Sequence, residues 1–162
     1  MTPPIIGPDA FRRLLGAFAS GVTVVTTRDP DGAPAGMTAS AFSSVSLDPP
    51  LVLVCIANDS GLHDVLRAAP RFAVNVLADD QAALSVRFAG ARSQRFTGVA
   101  IAETGRESPP LLGGAAAYLV CETTAVHPGG DHAIFVARVV AGESFDRPPL
   151  LHFRGEYRQL AY

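Results

Sequence analysis

A mainly β fold, an antiparallel barrel carrying short helical inserts, is what this chain predicts. Three observations lead there. Apolar and β-branched runs recur at short spacing: GVTVVTT, LVLVCI, RFAVNVL, AAYLVCETTAV and AIFVARVV. Turn chemistry separates several of them, as at Asp29-Pro30-Asp31-Gly32 and at the Gly129-Gly130 pair, which permits the positive φ of a hairpin turn. Regular βαβ alternation and a GxGxxG motif are both absent, which disfavours a doubly wound dinucleotide fold. With 162 residues, 48% of them hydrophobic, and a mean hydropathy of +0.25, the chain is long enough for a sizeable core. Residues 1–162 are expected to form one domain, since no repeat, low-complexity tract or linker interrupts them.

Taken in order, residues 8–18 read as a helix. Phe11, Leu14, Leu15 and Phe18 lie at i, i+3, i+4 and i+7, one apolar stripe expected to pack on the core. Pro8 and Asp9 suit its first turn. Gly21 to Thr27 is the first strand, joined by the Asp29–Gly32 turn to the stretch from Met37 to Ile56. There, Asp48-Pro49-Pro50 predicts an extended corner. Leu51 to Ile56 reads as a buried strand. After it, Asn58 and Ser60 are candidate caps for a helix carrying Leu62, Val65, Leu66 and Ala69, which Pro70 stops. The start of that helix, with the Ser60 hydroxyl and the His63 ring, is expected to face any nearby anion.

Arg71 to Leu77 is a strand with one polar interruption, Asn75. Asp79 opens a third helix that carries Arg87 and Phe88 near its end. Ala91 to Gly98 reads as a surface loop in which Arg92 and Arg95 are solvated. Strands follow at Val99 to Glu103, Ala115 to Val126, Ala133 to Val140 and Leu150 to Phe153, with a further one between Glu156 and Tyr162.

Composition narrows the function classes. The net charge is −2 and basic runs are absent, which argues against a nucleic-acid surface. All 13 basic residues are arginines, so a Walker loop with its lysine is impossible. An anion site must use arginine forks, hydroxyls or backbone amides. No apolar run approaches the roughly 20 residues of a membrane-spanning helix. The first residues do not resemble a secretory signal, and a cytoplasmic location is expected. Cys55 and Cys121 read as small buried strand residues, and a disulfide, which would need their strands to be neighbours, is not expected. No motif has metal-ligand spacing.

The stretch MTASAFSSVSLDPPLVLVCI carries the chemistry. Thr38, Ser40, Phe42, Ser44 and Ser46 fall at every second position, so on a strand they share one face. Buried hydroxyls need partners, so this face suits the floor of a flat polar ligand. It equally suits a Ser/Thr-rich strand at a sheet edge.

The order of motifs resembles the short-chain flavin reductases, the reductase components of two-component flavin-dependent monooxygenases, which have the FMN-binding split-barrel fold. The resemblance runs through FASGVTVVT, MTASAFSSVSLDPPLVLVCI, RFAVNVL, SQRFTGV, GDHAIFVARV and LLHFRGEYRQL. It implies that Thr38, Ala39, Ser40 and Phe42 lie along the isoalloxazine ring and ribityl chain, with Ser43 and Ser44 nearer the phosphate. It implies backbone contacts from Cys55, Ile56 and Ala57, and a phosphate approached by Ser60 and His63. Arg87, Phe88 and Ala89 would cover the other side of the phosphate. Arg95, where many members have lysine, would bind the same anion through a planar fork. His132, in the Gly-Asp-His motif, would position nicotinamide, and Tyr157 would form a wall of that site. Implied too are FMN or FAD as cofactor and NADH or NADPH as donor. The hydride would pass from nicotinamide C4 to flavin N5, and reduced flavin would go to a partner monooxygenase. A homodimer is expected. The alternatives of a different class are a flavin-storing or flavin-sensing protein and an oxygenase-docking protein of the same fold.

Overall fold

The structure, a computed structural model, describes residues 6–102, 105 and 107–161. Glu103, the expected end of one strand, and Tyr162, the expected end of the last, lie outside the described residues. Seven strands form one antiparallel sheet in the order β3-β2-β6-β9-β10-β5-β4. They are β2 (Thr23–Arg28), β3 (Pro34–Ala39), β4 (Phe42–Leu47), β5 (Pro50–Ala57), β6 (Phe72–Val76), β9 (Ala117–Gly129) and β10 (His132–Ser144). A small sheet joins β1 (Ser20–Gly21) to β11 (Leu151–Phe153) and β12 (Glu156–Arg158). β7 (Ile101–Ala102) pairs with β8 (Leu111–Leu112).

One link dictates the shape. β3 and β4 lie at opposite edges of the seven-stranded sheet, yet only Ser40 and Ala41 separate them in sequence. Laid flat, six inter-strand spacings would hold the edges roughly 29 Å apart. Two linking residues span roughly 10 Å at most. The sheet must therefore curl until its edges approach. No ladder among the described residues joins β3 to β4, so the barrel is split along that line.

The link also breaks the expected single face of hydroxyls. Ser40 sits in the corner between two strands, and a bulge between Ser44 and Ser46 shifts the register again. Ser43 opposes Leu53 and Ser44 opposes Val52, so these two serines point to opposite faces. Asp48-Pro49, joined by a cis peptide, makes a tight hairpin rather than an extended corner, because Leu47 already pairs with Pro50.

Strand β5 is not buried on both faces. Val52, Val54 and Ile56 point into the core, while Leu51, Leu53, Cys55 and Ala57 are only half-buried. The main core gathers these inner residues with Val25, Phe72, Val74, Phe135 and Leu66 of α2 (His63–Ala68). A second core sets Phe88 of α3 (Ala82–Ala89) beside Val24, Leu77 and Leu150. Gly36 makes that docking possible: a Cβ there would lie 2.8 Å from the Val25 carbonyl and 3.3 Å from the Phe88 ring.

Asn75, the polar residue inside β6, is fully buried and partnered. Its amide donates to the Val24 carbonyl and to Thr26 Oγ1, each at 3.0 Å, and its Oδ1 accepts from Leu112 N at 2.9 Å. The first helix differs more. α1 (Pro8–Gly16) ends two residues early and buries none of its residues. Phe11, Leu14, Leu15 and Phe18 are 56%, 59%, 51% and 77% exposed. Their stripe is not core, because the curled sheet fills its interior without them. The helix is tied down at its end, where Arg154 N donates to the Gly16 carbonyl.

Candidate functional site

A groove of about 670 Å³ opens beside the β3–β4 link. Ser40, Ala41, Phe42 and Ser43 line one side, Leu53 and Cys55 of β5 another. Phe11, Leu15 and Phe18 of the α1 segment, with His152 and Gly155, complete it. The volume falls within the range of small-molecule sites, and the lining mixes apolar surface with a few polar groups. Ser40 and Ser43 are exposed, and Ser43 Oγ donates to the Ser44 carbonyl at 3.0 Å. Burial pushes the Cys55 thiol up from its ordinary value, so it meets the groove as an uncharged thiol.

His132 stands on the same side of the sheet. It opposes Ala57, which lies two residues beyond Cys55 on β5. Residues two apart on a strand share a face, as do direct cross-strand partners. The ring is half exposed, and its Nδ1 lies 2.7 Å from Asp131 Oδ1. The hydrogen bond and charge of His132 hold the Asp131 carboxyl below its ordinary value. The carboxylate thus orients the ring.

Other expected residues have structural duties. Thr38 Oγ1 donates to the Ser85 carbonyl at 2.6 Å, and Ser85 Oγ lies 2.8 Å from the Tyr157 hydroxyl. That chain ties β3, α3 and β12 together, so the Thr38 proton is already placed. Ala39 is buried at the end of β3. Ile56 and Phe88 are fully buried, and Phe88 packs edge-on against Phe96 at 4.9 Å. Both side chains thus belong to the core. Ala89 is exposed, and Arg87 donates to the Thr97 carbonyl. Arg95 gives Nε and Nη2 to the Gly90 carbonyl and Nη1 to the Gly36 carbonyl. Its fork staples the loop after α3 to β3.

Past β5, no side-chain hydrogen bond caps α2, so neither Asn58 nor Ser60 is its cap. The Asn58 amide donates instead to the Gly130 carbonyl. Ser60 Oγ is buried and has no hydrogen-bond partner. Such an atom is uncommon and fits a site for a ligand oxygen. The largely buried His63 ring lies 2.8 Å from Asp64 Oδ1 and edge-on to Phe135.

The structure therefore brings Ser40, Phe42, Ser43 and Cys55 to one groove, with Ala57 and His132 on the adjoining face. Sequence reasoning missed Ala41, Leu53, His152 and the α1 stripe. His152 lies in β11 between Leu151 and Phe153, and that polar–apolar alternation is the one signal that marks it. Hydroxyls at a groove, an unpartnered buried Ser60 Oγ and an oriented histidine fit a flavin nucleotide with a nicotinamide partner.

Comparisons with known proteins bear on this fit. The chain is 43% identical over 157 residues to a relative from Rhizobium meliloti (strain 1021), covering 97% of this chain and 50% of that one. It thus spans half the length of that relative. The reductase component of 4-nitrophenol 4-monooxygenase/4-nitrocatechol 2-monooxygenase from Rhodococcus opacus is 42% identical over 147 residues, 91% of this chain and 78% of its own. Among solved structures, the NADH:FAD oxidoreductase of Streptomyces globisporus C-1027, in complex with NAD and FAD fragments, superposes with a TM-score of 0.89 at 38% identity. That match covers 98% of this chain and 97% of that one. The flavin reductase like domain matches residues 15–161, and the chain belongs to that family.

Proposed function

We propose that this chain is an NADH-dependent flavin reductase that supplies reduced FMN or FAD to a separate monooxygenase. The observation that carries the reading is the groove beside the β3–β4 link, where Ser40, Ser43 and Cys55 meet the sheet face that bears His132. When bound, the flavin and the nicotinamide supply the hydride chemistry between them. The chain's own residues bind, orient and exclude water. Ser40 and Ser43 hold polar flavin atoms, Ser60 and His63 serve the phosphate end, and His132 with Tyr157 orients nicotinamide. Hydroxyls and small residues grip without a covalent link, which suits a flavin that must leave.

Two finer points belong to the same reading. The protein works as a homodimer, supported by the exposed Phe11, Leu14, Leu15 and Phe18 at the groove's rim. It works in the cytoplasm, where reduced nicotinamide is available and two free thiols persist. The deciding test is a steady-state assay of purified protein with each flavin and each nicotinamide, followed at the nicotinamide absorbance. Turnover with micromolar free flavin is expected. Tight flavin binding with no nicotinamide oxidation would replace this reading with storage or sensing.

A further inference from the structure

The chain has 4 histidines, and His152 differs from the rest. His63 and His132 each hold Nδ1 against a neighbouring carboxylate, 2.8 Å from Asp64 and 2.7 Å from Asp131. His127 is exposed near the end of β9. His152 is half-buried and lines the groove, and its ring nitrogens make no hydrogen bond or ion pair among the described residues.

This ring is buttressed. Ser20, His152 and Tyr157 are direct partners across β1, β11 and β12, so their side chains share one face of the small sheet. The Tyr157 ring meets the His152 ring edge-on, with centroids 5.9 Å apart and planes at 66°. The Tyr157 hydroxyl in turn lies 2.8 Å from Oγ of Ser85, a fully buried residue of α3. A ring held in this way loses little rotamer freedom when a ligand arrives. Of the groove's other polar side chains, Ser20, Ser40, Ser43 and Cys55 are uncharged, and Arg12 is exposed and paired with Asp9 at 3.0 Å. His152 combines an available N–H with a fixed place in the groove wall.

The reaction gives such a donor something to discriminate. Hydride transfer breaks the nicotinamide C4–H bond and forms an N5–H bond on the flavin. Both electrons travel with the hydrogen, so nicotinamide gains one positive charge and the flavin one negative charge. A hydrogen bond to an anion is roughly twice as strong as one to a neutral acceptor. A donor already in place before the charge arrives favours the charged form at no cost in reorganisation.

We propose that His152 is a flavin-binding residue whose ring N–H makes the groove hold reduced flavin more tightly, relative to oxidised flavin, than it otherwise would. The proposal rests on the flavin reductase reading and deepens it. Tyr157, anchored by Ser85, is the positioning residue for this ring.

The midpoint potential of bound FMN tests the assignment, because it reads the ratio of the affinities for the two redox forms. His152→Phe keeps a ring of similar size and removes the donor. It is expected to lower the affinity for reduced FMN roughly tenfold more than that for oxidised FMN, a shift of about 30 mV to more negative potential for a two-electron couple. His152→Asn, which restores an N–H donor, is expected to recover most of the shift. Tyr157→Phe, which cuts the link to Ser85, is expected to move the potential in the same direction by a smaller amount. Melting of each variant keeps loss of fold separate from loss of contact, and His152→Asn carries the comparison if His152→Phe does not fold. An unchanged potential in His152→Phe, or equal weakening of both redox forms, would reduce His152 to a passive wall and overturn the proposal. A raised Michaelis constant for NADH at unchanged flavin potential would give the ring to nicotinamide and overturn it equally. Wild-type protein that binds neither FMN nor FAD would sink the flavin reductase reading itself, and this assignment with it.

Discussion

Single residues carry both the scaffold and the chemistry here. Asn75 is the clearest scaffold case, since its three hydrogen bonds join β2, β6 and β8 inside the core. Replacing it with alanine strips Leu112 N of its acceptor. A cost of about 1–3 kcal/mol for each buried group left unpaired is expected. Thermal or urea unfolding of Asn75→Ala checks this, and an unchanged midpoint would mean that water repairs the gap. Ser40 is the counterpart in the groove. Ser40→Val is expected to weaken flavin binding by about 1–3 kcal/mol while leaving stability almost intact, because Ser40 is exposed in the free protein. Titration and melting of the same sample separate the two effects. His132→Ala is expected to slow turnover or raise the nicotinamide Michaelis constant with flavin affinity preserved. A change in flavin affinity alone would move His132 to another part of the site.

Elements explain what could and could not be read in advance. Strands β2, β6, β9 and β10 were legible because β-branched runs end at turn residues, and tertiary packing agrees with that local preference. The β3–β4 corner was not legible. Alternation of hydroxyl and small residues runs straight through Ser40 and Ala41, and nothing local marks the jump between sheet edges. Arg92 and Arg95 also look alike in sequence, since only tertiary contact shows which fork meets carbonyls. The stripe on α1 declares that one face wants cover without saying what covers it. Ion pairing across elements gives a test at this scale. Glu122 on β9 accepts from Arg71, just before β6, at 2.8 and 3.0 Å and from Arg138 on β10 at 3.0 Å. Hydrogen bonds from Arg71 and then Arg138 hold its pKa below the ordinary 4.5. A carboxyl lowered on folding stabilises above its unfolded value, and the gain fades as pH falls through the folded one. Glu122→Gln should therefore melt lower than wild type at pH 7, and the gap should close as pH falls through the lowered folded value. A gap that persists into acid would assign the effect to packing instead of charge.

For the whole molecule, the decisive feature is apolar surface that one chain leaves uncovered. Phe11, Leu14, Leu15 and Phe18 form one stripe on and just beyond α1, and three of them also line the groove. Contiguous apolar surface of this kind marks an interaction site more often than an idle face. The homodimer proposed above would cover this stripe. In a two-fold interface each substitution acts twice. Leu14 separates the two roles, because it belongs to the stripe and is not among the groove-lining residues. Leu14→Glu is expected to raise the dimer dissociation constant roughly a hundredfold or more, since two leucine burials are lost. Sedimentation velocity over a dilution series measures that directly. Flavin affinity of the resulting monomer then decides whether the partner chain helps to build the groove. A loss of affinity that tracks dissociation would make the assembled pair the catalytic unit, whereas full affinity in the monomer would confine the site to one chain.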